Sequence, residues 1–118
     1  CNLPVILHCV RAFEDVMSRL VRAKAERAVF HSFIGSTEQV ARVVSKGYFC
    51  SFSPRSLASA RTCEVIRWIT PSALLIERDE CECPIDEVYS AVAALRGCSI
   101  GELREIVFDN YKRLIDNE

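Results

Sequence analysis

Two histidines and one acidic cluster are the residues of this chain best suited to chemistry. His8 closes the apolar run Pro4-Val5-Ile6-Leu7-His8-Cys9, and His31 lies in Ala28-Val29-Phe30-His31-Ser32-Phe33. Glu77-Arg78-Asp79 follows the apolar Ala73-Leu74-Leu75-Ile76. Imidazole and carboxylate together make a borderline-hard ligand set, suited to zinc, manganese or magnesium in hydrolysis. These groups are far apart along the chain and meet only if the strands carrying them lie side by side. The same residues have blander readings. A histidine at a strand end can be a hydrogen-bonded structural residue, and an acid after a strand can cap a helix.

The elements that must position them alternate between two periodicities. The runs 4–9, 28–33, 48–53 and 73–77 are short and rich in Val, Ile, Leu and Phe, as strands are. The first and last are continuously apolar, as strands buried on both faces of a parallel sheet read. Between them, Phe13, Val16, Met17, Leu20 and Val21 form one helical stripe. Ser36-Thr37-Glu38-Gln39 has capping-box spacing and leads to Val40, Val43 and Val44, closed by Gly47. A third helix is expected over about 57–68, ending before Pro71. A fourth follows Pro84, with Ile85, Val88, Tyr89, Val92 and Leu95 on one face. Ser99 and Glu102 open a fifth, expected to bury Leu103, Ile106, Val107, Tyr111 and Leu114. Alternating strands and helices call for a parallel sheet with right-handed crossovers, either a small open sheet or part of a (β/α)8 barrel. In both, functional groups gather at the C-terminal ends of the strands.

Composition narrows the class. At 118 residues, with half of them apolar and 26% charged, the chain suits one globular domain. A formal net charge of −1 excludes nucleic-acid binding by bulk charge and leaves room only for a localised site. No apolar run approaches the roughly 18 residues that would cross a bilayer, so a cytoplasmic protein without membrane contact is expected. Seven cysteines cannot all pair within one chain, and free thiols are expected. Trp68 and Tyr89 read as packing residues, and Lys112 and Arg113 as complements to a helix dipole.

Several segments, in order, resemble the TatD-like metal-dependent deoxyribonuclease and hydrolase family. Leu3-Pro4-Val5-Ile6-Leu7-His8 with Ala12-Phe13-Glu14-Asp15 is similar to its fifth strand and helix. Val29-Phe30-His31-Ser32-Phe33-Ile34-Gly35-Ser36 resembles its hydrophobic-H-x-F-x-G-S segment. Gly47-Tyr48 to Ser53 resembles the seventh strand, and Leu74-Leu75-Ile76-Glu77-Arg78-Asp79 the L-L-x-E-T-D close of the eighth. Asn110-Tyr111-Lys112-Arg113-Leu114 is similar to the C-terminal N-x-K-R-L-F helix.

The resemblance implies an α/β fold, half of a (β/α)8 barrel with strands five to eight and their helices, residues 1–118 forming a partial domain whose N-terminal half is missing. It implies divalent metal (Mg, Mn or Zn) in a two-metal centre that cleaves DNA phosphodiesters. His8, His31 and Asp79 match metal-binding residues, and Asp79 would also serve catalysis. Glu77 would orient a ligand or a loop from behind. Arg11 stands beside Val10, where the family places an arginine, and Arg55 in Ser53-Pro54-Arg55-Ser56 could reach a phosphate or lie on an exposed turn. The family's first-strand histidine pair and fourth-strand glutamate have no counterpart, so the isolated chain is expected to be weakly active or inactive. Glu80-Cys81-Glu82-Cys83 makes the rim acidic, which leaves open a non-nucleic substrate. A half-barrel with open edges and an apolar inner face also suits a catalytically incomplete structural or binding module that self-associates or pairs with the missing half.

Overall fold

The computed structural model describes residues 5–8, 13–78 and 83–116, with residues 5–8 described by their backbone. Four strands, β1 (Val5–His8), β2 (Ala28–His31), β3 (Phe49–Phe52) and β4 (Leu74–Ile76), form one sheet in that order. Every neighbouring pair is parallel. The helices are α1 (Phe13–Arg22), α2 (Thr37–Ser45), α3 (Pro54–Leu57), α4 (Ala60–Trp68), α5 (Ile85–Arg96) and α6 (Ile100–Ile115), with a 3-10 turn at Pro71–Ala73 before β4.

Local chemistry sets the boundaries. Ser36 accepts from the Gln39 N–H at 3.2 Å while Gln39 Oε1 accepts from the Ser36 N–H at 2.9 Å, a closed capping box at the start of α2. Ser99 and Glu102 repeat it at α6, with bonds of 3.0 and 2.9 Å. The backbone N–H of Ser99, then its hydroxyl, holds the Glu102 carboxyl below its ordinary range. Gly47 and Gly97 adopt φ of 76° and 71° just past α2 and α5, where a side chain would be strained.

The register sorts strand residues onto two faces. Val29 pairs with Phe49, and Ser51 with Leu75. With a side-chain period of two, Val29, His31, Phe49, Ser51, Leu75 and Glu77 therefore share one face. The opposite face carries Phe30, Cys50, Phe52, Leu74 and Ile76, and the helices cover it. Phe30 stacks on Phe13 of α1 at 5.6 Å and meets Phe33 edge-on at 6.5 Å, while Phe33 meets Phe52 at 6.1 Å. Val65, Ile66, Val88, Val92, Leu103 and Val107 complete this core.

Four expectations need correction. Ser53-Pro54-Arg55-Ser56 is not a turn: Pro54–Leu57 form the helix α3, with Pro54 at its first position, and the helix expected over about 57–68 begins only at Ala60, as α4. Pro at that position has no N–H to leave unpaired. Trp68 is not a packing residue: it is 75% exposed, its indole N–H donating to Glu64 Oε2 of its own helix at 2.8 Å. On α6 the buried position is Asn110 rather than Tyr111, which is 37% exposed. Lastly, the apolar inner face is not bare. Val29, Phe49 and Leu75 are all buried, and the Arg113 guanidinium lies 5.3 Å from the Phe49 ring centroid. Arg113 also donates to the Ser72 carbonyl and Asn110 Oδ1, so it is a tertiary anchor as well as a helix-end charge.

Asn110 ties α6 to β4. Its Nδ2 donates to the carbonyls of Pro71 and Leu74, both at 2.7 Å. Asn110→Ala removes both donors from a buried position and is expected to lower stability by about 3 kcal/mol, since orphaned buried acceptors cost about 1–3 kcal/mol each. Urea unfolding followed by circular dichroism measures it. An unchanged midpoint would show that water replaces the amide.

Cys50, Cys63 and Cys98 are free thiols. Burial pushes the Cys50 thiol far above its ordinary range, which makes it an inert core residue. Among the described residues no helix is long and apolar enough to cross a membrane.

Candidate metal-site scaffold at the strand ends

His31 ends β2 and Glu77 directly follows β4, with β3 between them. On their shared face β3 presents the small, buried Ser51, in register with Leu75. His31 Nδ1 lies 2.5 Å from Glu77 Oε1. The second carboxylate oxygen, Oε2, accepts the Ser32 backbone N–H at 2.6 Å. Both side chains are mostly buried, 20% and 15% exposed. One carboxylate thus fixes both an imidazole ring and the peptide that follows it.

The backbone supports this. The Glu77 N–H donates to the Phe52 carbonyl at 2.9 Å, and the Phe33 N–H to the Ser51 carbonyl at 2.8 Å, so strand pairing continues past the strand ends. Ser32 has φ of 52°, in the left-handed region. That turn sends the chain towards Gly35, where the N–H donates to Thr62 Oγ1 at 3.1 Å. A Cβ at Gly35 would stand 2.4 Å from Gln39 Oε1 and 2.8 Å from Phe33 Cζ, so this glycine serves close packing, with no phosphate loop. Tyr111 reaches the Ile76 carbonyl at 3.5 Å, and burial, reinforced by the charge of Glu77, raises its phenol above the ordinary range.

The remaining candidates are placed unevenly. His8 pairs with His31 in the β1–β2 register, which sets their Cα atoms about 5 Å apart on neighbouring strands. The His8 side chain lies outside the described residues, as do Asp79, Arg11 and the acidic segment 80–82. Arg55 is exposed on α3, and Arg78 is exposed beside Glu77. Among the described residues, no cluster of three or more His, Cys, Asp or Glu side chains forms a metal site. The partners that sequence reasoning missed are Ser32 and Ser53, whose hydroxyls are hydrogen-bonded to each other. Nothing in a serine's sequence neighbourhood announces such a contact.

An imidazole held at Nδ1 by a carboxylate has Nε2 as its ligand atom, the arrangement by which metal-binding histidines are oriented. The His31–Glu77 geometry is that of one oriented ligand, and among the described residues no group of three or more ligating side chains completes a site.

A parallel sheet with helices on one face and polar groups at the strand ends belongs to the (β/α)8 class, and this chain is half of such a barrel. It superposes on YJJV, a TatD homolog from Escherichia coli K12, with a TM-score of 0.87 at 26% identity, over 97% of this chain and 50% of that one. The chain belongs to the TatD related DNase family, whose sequence pattern matches residues 1–116. It is 30% identical over 133 aligned positions to YabD of Bacillus subtilis, named as an uncharacterized metal-dependent hydrolase, spanning 96% of this chain and 51% of that protein. To the Schizosaccharomyces pombe protein named deoxyribonuclease Tat-D it is 28% identical, over 71% of this chain and 28% of that one. The chain spans about half the length of YabD.

Proposed function

We propose that this chain forms part of the active-site rim of a metal-dependent hydrolase that cleaves DNA phosphodiester bonds. The observation that carries the reading is the clamp of Glu77 on His31 Nδ1 and the Ser32 N–H at the C-terminal ends of β2 and β4. The names of the relatives, a metal-dependent hydrolase and a deoxyribonuclease, supply the reaction class and substrate. His8, His31 and Asp79 are the assigned ligands of Mg, Mn or Zn, in a two-metal arrangement completed by groups outside this chain. Bound divalent ions supply Lewis-acid polarisation of the phosphate and a more acidic water. Within the chain, Glu77 fixes the ring so that Nε2 is the ligand atom. Asp79 would ligate the metal and could take the water's proton, and Arg11 and Arg55 would meet phosphate oxygens.

A second reading is supported by the chain spanning about half of YabD and by the small donor set among the described residues. It is a structural or binding module that becomes catalytic only with the other half of a barrel. Calorimetric titration of the chain with Mn²⁺ or Zn²⁺, paired with a DNA cleavage assay, separates the two. The expected result is weak metal binding, lost in His31→Ala and Asp79→Ala, with little cleavage by the isolated chain. Metal binding untouched by both substitutions would remove these residues from the site. Robust EDTA-sensitive cleavage by the isolated chain would contradict the need for further ligands.

A further inference from the structure

Ser32 occupies a left-handed conformation, φ 52°, that is unfavourable for a non-glycine residue and that glycine would adopt freely. A serine in that position suggests that its hydroxyl is in use. The Ser32 hydroxyl is hydrogen-bonded to that of Ser53, which is fully buried just beyond β3. Ser53 is in turn held by its own N–H donating to Ser56 Oγ at 3.1 Å, in the first turn of α3. The connection therefore runs from α3 through Ser53 to Ser32, then from the Ser32 N–H to Glu77 Oε2, and from Oε1 to His31 Nδ1. It joins the ends of β3, β2 and β4.

We propose that Ser53 is a positioning residue for the His31–Glu77 pair, acting through the Ser32 hydroxyl. Rotation of the Ser32 peptide would turn its N–H away from Glu77. The hydroxyl contact to a buried serine adds to the strand-end hydrogen bonds in opposing that rotation. The carboxylate then has one favoured orientation, and so does the imidazole. Its effect on metal affinity rests on the proposed function, whereas its effect on the Ser32 peptide does not.

Two substitutions isolate the contact. Ser53→Ala deletes one hydroxyl, and Ser32→Gly deletes the other while keeping the left-handed turn accessible. Amide hydrogen exchange reports the peptide directly. In Ser53→Ala the Ser32 amide is expected to exchange at least about tenfold faster, with the Leu75 amide in the sheet unchanged, because local opening is separable from global unfolding. Unchanged Ser32 exchange would overturn the proposal, as would equal acceleration at Leu75, which would mean general destabilisation. Metal affinity supplies a second readout through a double-mutant cycle, with each single substitution expected to weaken Mn²⁺ binding about 3–10-fold and the double no further. Additive losses would show that the serines act separately. Faster Ser32 exchange in a chain that binds no metal would keep the positioning role and remove the metal reading.

Discussion

Replacing Glu77 with glutamine is expected to weaken divalent metal binding by about 10–100-fold, the range seen when the orienting partner of a ligating histidine is lost. The substitution is nearly isosteric, so packing changes little. What changes is that one of the two terminal atoms becomes an N–H₂ donor. Glutamine can still accept the Ser32 N–H or face His31 Nδ1 as an acceptor, but its single oxygen cannot do both. If the oxygen stays on Ser32, the amide N–H₂ meets the ring N–H, and the imidazole must flip or change tautomer. Glu77→Ala should lose the same affinity and also leave the partly buried Ser32 N–H without its acceptor. Calorimetry with Mn²⁺ on the wild type and both variants decides the matter. An unchanged Kd in Glu77→Gln would mean that His31 needs no partner at Nδ1.

The largest stability effect is expected at Phe30. It is 1% exposed and sits between Phe13 and Phe33, joining β2 to α1 and to the turn after the strand. Phe30→Ala removes its burial and both aromatic contacts and leaves a cavity among rings that belong to different elements. The cost should be about 3–5 kcal/mol. Such a loss is a large part of the stability of a domain of this size, so the variant is expected to be partly unfolded at physiological temperature. Urea titration should show a much lower midpoint with the same slope. A midpoint within experimental error of the wild type would mean that the surrounding rings collapse into the space.

How much of this was legible in the sequence depends on the range of the interaction. The four strands are legible as apolar runs because burial is written into periodicity, whereas their order in the sheet is what the family resemblance implies. The starts of α2 and α6 were equally readable, since a capping box involves residues only three apart, Ser36 with Gln39 and Ser99 with Glu102. Helix faces were read less well. The apolar stripe on α6 suggested Tyr111 as core, yet Asn110 took the buried place because the Pro71 and Leu74 carbonyls needed a donor there. Trp68 sits on the last turn of α4 and is 75% exposed, so its apolar ring does not report burial there. Ser53-Pro54-Arg55-Ser56 reads equally as a turn or a helix start, because proline and serine favour both.

The candidate site shows the same division. His31 and Glu77 stood out as polar residues ending apolar strands, and Glu77 was expected to orient something. That its partner is His31, across an intervening strand and 46 positions away by subtraction of their numbers, follows only from the register that brings their faces together. Ser32 and Ser53 carried no signal at all. A left-handed serine and a buried hydroxyl become meaningful only when each is seen to satisfy the other.

Long-range proton–nitrogen NMR of the His31 ring, recorded during titration with Zn²⁺, tests the central claim most directly. The account predicts a ring protonated at Nδ1 in the neutral form, with the metal-induced shift falling on Nε2. A proton on Nε2 with the metal response at Nδ1, or a His31 ring that does not respond at all, would contradict it.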